Sequence, residues 1–179
     1  MIDEMKKALR KELKSISFSF ETKKEREKSI IKQILESESY KHCEMLLLFA
    51  GKGTEPDLTE LFIKAVAQNK VVCYPKCIDK GIMTFHRVTD LSQLKTGEYG
   101  IMEPVSDCCE ITDFKNTLCI TPAVAYTKDL KRLGHGGGYY DRFLSKHNCR
   151  IMGVIFKEYI VNDIPRNETD INVDELIYA

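Results

Sequence analysis

Four apolar runs of strand length, at 45–49, 71–74, 118–125 and 151–156, restrict the fold more than any other feature, because helix-patterned segments separate the first from the second and the third from the fourth. Runs this short and this apolar suit strands covered on both faces. Strands linked through helices return to the same edge of a sheet and so pair in parallel. The expectation is an α/β fold, a three-layer sandwich with a mostly parallel central sheet, whose ligands sit outside the carboxyl ends of the strands.

Ahead of this pattern, Ile2, Met5, Leu9, Leu13 and Ile16 recur at helical spacing, with Lys6, Lys7, Arg10, Lys11 and Lys14 on a strongly positive polar face. Thr22 followed by Glu25 reads as a capping box, and Ile30, Ile31, Ile34 and Leu35 form the stripe of a second helix ending near Ser37. An N-terminal helical hairpin is therefore expected. Pro75 is expected to stop the 71–74 strand, Asp79-Lys80-Gly81 to turn the chain into a strand over 83–88, and 91–109 to be mostly turn and loop. At 179 residues and 43% hydrophobic, without repeat or linker, the chain is the size of a single domain, 1–179.

The 27 basic and 27 acidic side chains cancel, so no global field draws the chain to nucleic acid or an acidic membrane, and any phosphate site must be local. The segment 1–10 has no apolar run of signal-peptide length, and the longest such run, 45–50, is too short to span a bilayer; a soluble, cytoplasmic monomer is expected. Seven cysteines form an odd set lying partly within apolar runs, which argues against a disulfide framework. There is no C-x-x-C pair; Cys73, Cys77, His42 and Cys43 make only a loose zinc candidate.

Chemistry concentrates at Arg132-Leu133-Gly134-His135-Gly136-Gly137-Gly138-Tyr139-Tyr140-Asp141. Four glycines in five positions cost conformational entropy, so the backbone there needs unusual dihedrals or close approach by a ligand. Such a loop ahead of a helix, here over 140–147, aims several N–H groups at one spot, and phosphate is the usual guest. A tight turn with nothing bound is the plainer alternative. No Gly-Lys-Ser or Gly-Lys-Thr ends the run, and its spacing is not that of a dinucleotide fingerprint.

The segment resembles the R-L-G-x-G-x-G-Y-Y-D signature of the 5-formyltetrahydrofolate cyclo-ligase (5,10-methenyltetrahydrofolate synthetase) family. Lys6-Lys7-Ala8-Leu9-Arg10 is similar to that family's N-terminal segment, and Val173-Asp174-Glu175 to its C-terminal V-D-E. His135 departs from the pattern, standing where Tyr or Arg is common.

The resemblance implies ATP-dependent closure of 5-formyltetrahydrofolate to 5,10-methenyltetrahydrofolate, with Mg2+ as cofactor. It implies ATP contacts from Lys6, Lys7, Arg10, Arg132, Leu133, Gly134, His135, Gly136, Gly137, Gly138, Tyr139 and Tyr140. Folate would meet Ala50, Glu55, His135, Gly136, Gly137, Gly138 and Tyr139; Tyr139 and Arg132 would be catalytic; Asp141 and Asp174 would hold the metal. Some have an ordinary alternative: a solvated basic face for Lys6 and Arg10, a helix cap for Asp141 or Asp174, core packing for one tyrosine. His42, His86 and His147 read as surface or structural residues. The rival function is a nonenzymatic nucleotide- or folate-binding module.

Overall fold

The computed structural model describes residues 1–16 and 19–179. In chain order its elements are α1 (Ile2–Leu13), α2 (Phe20–Glu36), α3 (Glu38–His42), β1 (Met45–Leu47), α4 (Thr59–Ala67), β2 (Val71–Asp79), β3 (Ile82–Arg87), β4 (Leu94–Thr96), β5 (Met102–Pro104), β6 (Glu110–Ile111), β7 (Thr117–Thr121), β8 (Ala125–Thr127), β9 (Arg132–Leu133), α5 (Tyr139–Leu144), β10 (Arg150–Ile155), β11 (Ile160–Val161) and β12 (Glu175–Tyr178). A seven-stranded sheet runs in the order β12-β10-β7-β1-β2-β3-β6; the five strands from β12 to β2 are parallel to one another, and β3 and β6 add antiparallel pairings at that edge. The four apolar runs are its centre: Leu46, Leu47, Cys73, Leu118, Cys119, Ile120 and Met152 are fully buried.

Helices cover both faces, as pairing register and ring contacts show. Tyr74 and Pro75 are successive residues of β2 and so point to opposite faces. Tyr74 meets Phe62 of α4, whereas Phe85, paired with Pro75, meets Phe143 of α5 at 4.8 Å between ring centroids. The layers are thus α4, sheet and α5, with α2 packed beside α4.

Several local expectations are corrected. Pro75 does not end its strand: β2 continues to Asp79. Val72 accepts from Val88 on the β3 side and Cys73 from Leu48 on the β1 side, so Pro75, two residues after Cys73, turns its missing N–H toward β1, which has already ended at Leu47. The α2 cap is Ser19, whose side chain accepts from the Thr22 amide, so the helix starts ahead of the Thr22 box. The 91–109 segment is mostly turn and loop, as expected, apart from the short β4–β5 pair. Lys6, read as part of a solvated face, is buried and paired with Asp170 at 2.5 Å. No helix among the described residues is long and apolar enough to cross a membrane.

Candidate functional site

After β1 the chain crosses by α4 to β2 on one side; β7 later pairs with the other side of β1. Strand order therefore reverses between β1 and β7, and the crevice outside their carboxyl ends is where an open α/β sheet binds ligands. The loop leaving β1 carries Ala50, Lys52 and Glu55. The chain leaving β7 passes Pro122, makes the β8–β9 hairpin and enters the glycine loop.

The glycines have separate reasons. Gly136 (φ +101°) and Gly138 (φ +67°) take conformations that L side chains rarely adopt. A Cβ on Gly137 would lie 2.7 Å from the Tyr139 ring, and one on Gly138 2.7 Å from Arg142 Nη1. Gly138 is the N-cap of α5. That helix has only six residues, so the loop amides rather than a macrodipole must supply the attraction for an anion.

Carbonyls of the loop are drawn outward by arginines. Arg10 Nε donates to Gly134 O at 2.8 Å, and Arg142 donates through Nη2 to Gly137 O and through Nε to Gly81 O at 2.7 Å. The β2–β3 turn, α1 and the glycine loop are thereby tied together. Burial lowers the Arg10 pKa from its ordinary value, against the attraction of Asp3 and Asp170.

Across the crevice, Glu55 is 9% exposed and both its oxygens are engaged: Oε2 accepts from the Lys52 amide at 2.8 Å and Oε1 meets His135 Nε2 at 2.8 Å. Tyr139, at the start of α5, meets Tyr99 hydroxyl to hydroxyl at 3.1 Å. Lys52 Nζ donates to Tyr99 O at 2.6 Å. Arg10, the glycine loop, His135, Glu55 and Tyr139 are thus brought together, with Ala50 half-buried at the head of the Glu55 loop.

Arg132 is placed differently from a phosphate fork. Its side chain is 3% exposed, Nη2 donates to Asp141 Oδ1 at 2.7 Å, Nη1 to Pro122 O at 3.4 Å, and the guanidinium lies over the Tyr140 ring. Leu133 is buried beside it. Arg132 Nε and the Tyr140 hydroxyl are buried without hydrogen-bond partners among the described residues. Burial raises the Tyr140 pKa well above the ordinary phenol range, with Cys119 and Glu55 adding to the effect, so Tyr140 keeps its proton. Two orphaned donors under a glycine loop suit an acceptor supplied from outside the chain.

Asp141 is not the cap of α5. Its Oδ1 also accepts from the Ile171 amide at 3.2 Å, fixing the chain before β12. Asp174 Oδ2 accepts from the Ile151 amide at 2.7 Å, toward the amino end of β10. The two aspartates share no protein partner, and no group of three or more potential ligands is found among the described residues. Asp141 keeps Oδ2 outside these bonds beside Arg132 and the loop, which suits magnesium, a cation that takes one or two carboxylates with phosphate oxygens and water. Asp174, at the amino end of β10, stands at the edge of the sheet away from the crevice and does not fit the same ion. Of the α1 residues, Lys7 is exposed and Lys6 is committed to Asp170.

Sequence reasoning missed Tyr99, Arg142 and Lys52. Tyr99 lay in a segment read as loop; Arg142 and Lys52 adjoin the motifs but act through contacts 61 and 47 residues away in sequence.

A sequence model described as the 5-formyltetrahydrofolate cyclo-ligase family matches residues 2–179. A probable 5-formyltetrahydrofolate cyclo-ligase of Schizosaccharomyces pombe is 32% identical over 166 residues, 83% of this chain and 81% of its own. Another from Caenorhabditis elegans is 29% identical over 195 residues, 99% of this chain and 94% of its own. The NMR structure of Aquifex aeolicus 5,10-methenyltetrahydrofolate synthetase superposes with a TM-score of 0.81 at 30% identity, covering 97% of this chain and 89% of that one.

Proposed function

Because this chain belongs to the 5-formyltetrahydrofolate cyclo-ligase family, we propose that its crevice binds ATP on the glycine loop and 5-formyltetrahydrofolate against Glu55, and joins them in one reaction. The activity is the ATP-dependent conversion of 5-formyltetrahydrofolate to 5,10-methenyltetrahydrofolate with release of ADP and phosphate. The formyl oxygen attacks the γ-phosphorus and ADP leaves; N10 then attacks the activated carbon, and the C–O bond breaks with release of phosphate. A formamide oxygen is a poor leaving group on a weak electrophile, and phosphorylation corrects both defects. The protein's task is positioning and charge neutralisation.

The amides of Gly134 to Gly138 hold phosphate oxygens, with Lys7 and Arg10 reaching the same anion from α1. Arg132 and Lys6 act from beneath: one braces Asp141 and Tyr140, the other holds Asp170. Glu55 accepts from adjacent pterin N–H donors. Tyr139, at the crevice mouth, donates to the formyl group and offers its ring to the pterin. Asp141, beside the loop, would hold magnesium, which would neutralise charge on the phosphates; Asp174, the second ligand that the resemblance implies, stands at the other edge of the sheet. The free state of all seven cysteines suits a reducing compartment such as the cytoplasm, where we expect a monomer.

One observation carries this reading: Glu55 follows β1 and the glycine loop follows β7 by way of the β8–β9 hairpin, on either side of the reversal in strand order, and the two touch through His135. The test mixes purified protein with 5-formyltetrahydrofolate and magnesium-ATP and follows the near-ultraviolet absorbance of the methenyl product. An ATP-dependent rise is expected. Binding of both ligands without that rise would instead leave a nonenzymatic module.

A further inference from the structure

The only side chain between Gly134 and Gly138 is His135, and it bonds to the carboxylate assigned above to folate. Both oxygens of Glu55 are thereby satisfied by protein. The imidazole itself is 62% exposed, so the core does not need it. A pterin presenting two adjacent N–H donors must take Glu55 Oε1 from His135. Phosphates settling on the loop meet the same ring, a ready donor to a phosphoryl oxygen once it has left Glu55.

We propose that His135 is a positioning residue that couples the two ligand sites, each ligand raising the affinity of the other. The coupling follows from one bond shared between two sites. Whichever ligand arrives first bears the cost of parting His135 from Glu55, and the second binds to a site already opened. Linkage requires the effect to be equal in both directions. The sign follows from the shared bond: it occupies both the Glu55 oxygen that folate would take and the ring that a phosphate would meet, so its loss favours both ligands.

This inference rests on the assignment of Glu55 to folate and of the glycine loop to ATP, and its test separates the two. The dissociation constant of 5-formyltetrahydrofolate is measured calorimetrically with and without a nonhydrolysable magnesium-ATP analogue, and the analogue's with and without the folate. The wild-type chain is expected to show a matched gain of about fivefold or more in both directions. In His135→Ala the ratio should fall to near unity whatever happens to either affinity alone, and His135→Gln, which retains a donor, should recover part of it. Equal ratios in wild type and His135→Ala, or no gain in wild type, would overturn the coupling and leave the functional reading intact. Failure of the wild-type chain to bind either ligand would overturn both.

Discussion

The hydroxyl of Tyr99, on the excursion between β4 and β5, lies 3.1 Å from the hydroxyl of Tyr139, at the first residue of α5. Their rings meet edge to face at 6.3 Å, and Tyr99 holds a positive φ of +59° while its carbonyl accepts from Lys52. The conformation is unfavourable for a bulky residue, and surrounding contacts hold it. The pair spans the mouth of the crevice.

Tyr99→Ala is therefore expected to raise the KM for 5-formyltetrahydrofolate about tenfold, the scale of a lost aromatic contact, with a smaller change in kcat. Tyr99→Phe, which keeps the ring, should stay within about threefold of wild type by the same scale. Steady-state kinetics with folate varied at saturating ATP decide it; equal loss in both variants would place the contribution in the hydroxyl.

Gly136→Ala forces a side chain into φ +101°. It should lower the unfolding free energy by about 1 kcal/mol or more and raise the KM for ATP more than that for folate, because loop amides are displaced. A urea melt and paired KM values test this. A folate-selective effect would assign the loop to the other substrate.

Removing the Arg132 side chain leaves Asp141 without its buried partner. Arg132→Ala should cost about 3 kcal/mol of stability and about a hundredfold in kcat/KM. Chemical denaturation measured beside turnover checks both. A turnover loss below about threefold would rule out the catalytic part.

Asp141→Asn is expected to raise the magnesium concentration needed for half-maximal turnover by about tenfold, since carboxylate ligands set affinity for this hard cation, whereas Asp174→Asn, at the amino edge of the sheet, should leave it unmoved. A magnesium titration of each variant is the measurement. An unmoved requirement in Asp141→Asn would reduce that aspartate to its hydrogen bonds with Arg132 and Ile171, and a raised one in Asp174→Asn would make Asp174 a ligand after all.

The Cys149 thiol is shifted below its ordinary pKa by a hydrogen bond from Cys119, against burial and the charge of Asp174. The same bond, together with burial, holds the Cys119 thiol well above its ordinary range. Alkylation of Cys149, followed by mass spectrometry, should have a pH midpoint below the usual thiol value of about 8.5. Cys119→Ala removes the donor and should move that midpoint upward.

Much of the central architecture was legible because burial on both faces writes itself into sequence as unbroken apolar runs, and α5 follows the glycine loop as expected. Local chemistry was less reliable where tertiary context decides. Lys6 matches a solvated stripe by spacing, yet its partner Asp170 lies 164 residues away, beyond any periodicity. Phe20, the first residue of α2, is apolar yet 69% exposed, so it stands off the buried stripe of Ile30, Ile31 and Ile34 and the start was read too late. Pro75 is tolerated because of where β1 stops, which β2 alone does not reveal. At the site, the motif marks Arg132 but not that its guanidinium lies beneath the loop, and Tyr99 has no motif to announce it.

The reversal of strand order has a consequence for assembly of the working protein. Met45 meets Thr117 only after a long intervening segment has been gathered in, so the pairing that sets Glu55 beside the glycine loop is a distant one and slow to close. A chain that has formed only the β1–β2–β3 portion possesses no crevice at all. Nucleotide and folate can therefore recognise only molecules whose sheet is complete at its middle, and their stabilising effect arrives at the last stage of maturation rather than guiding the first.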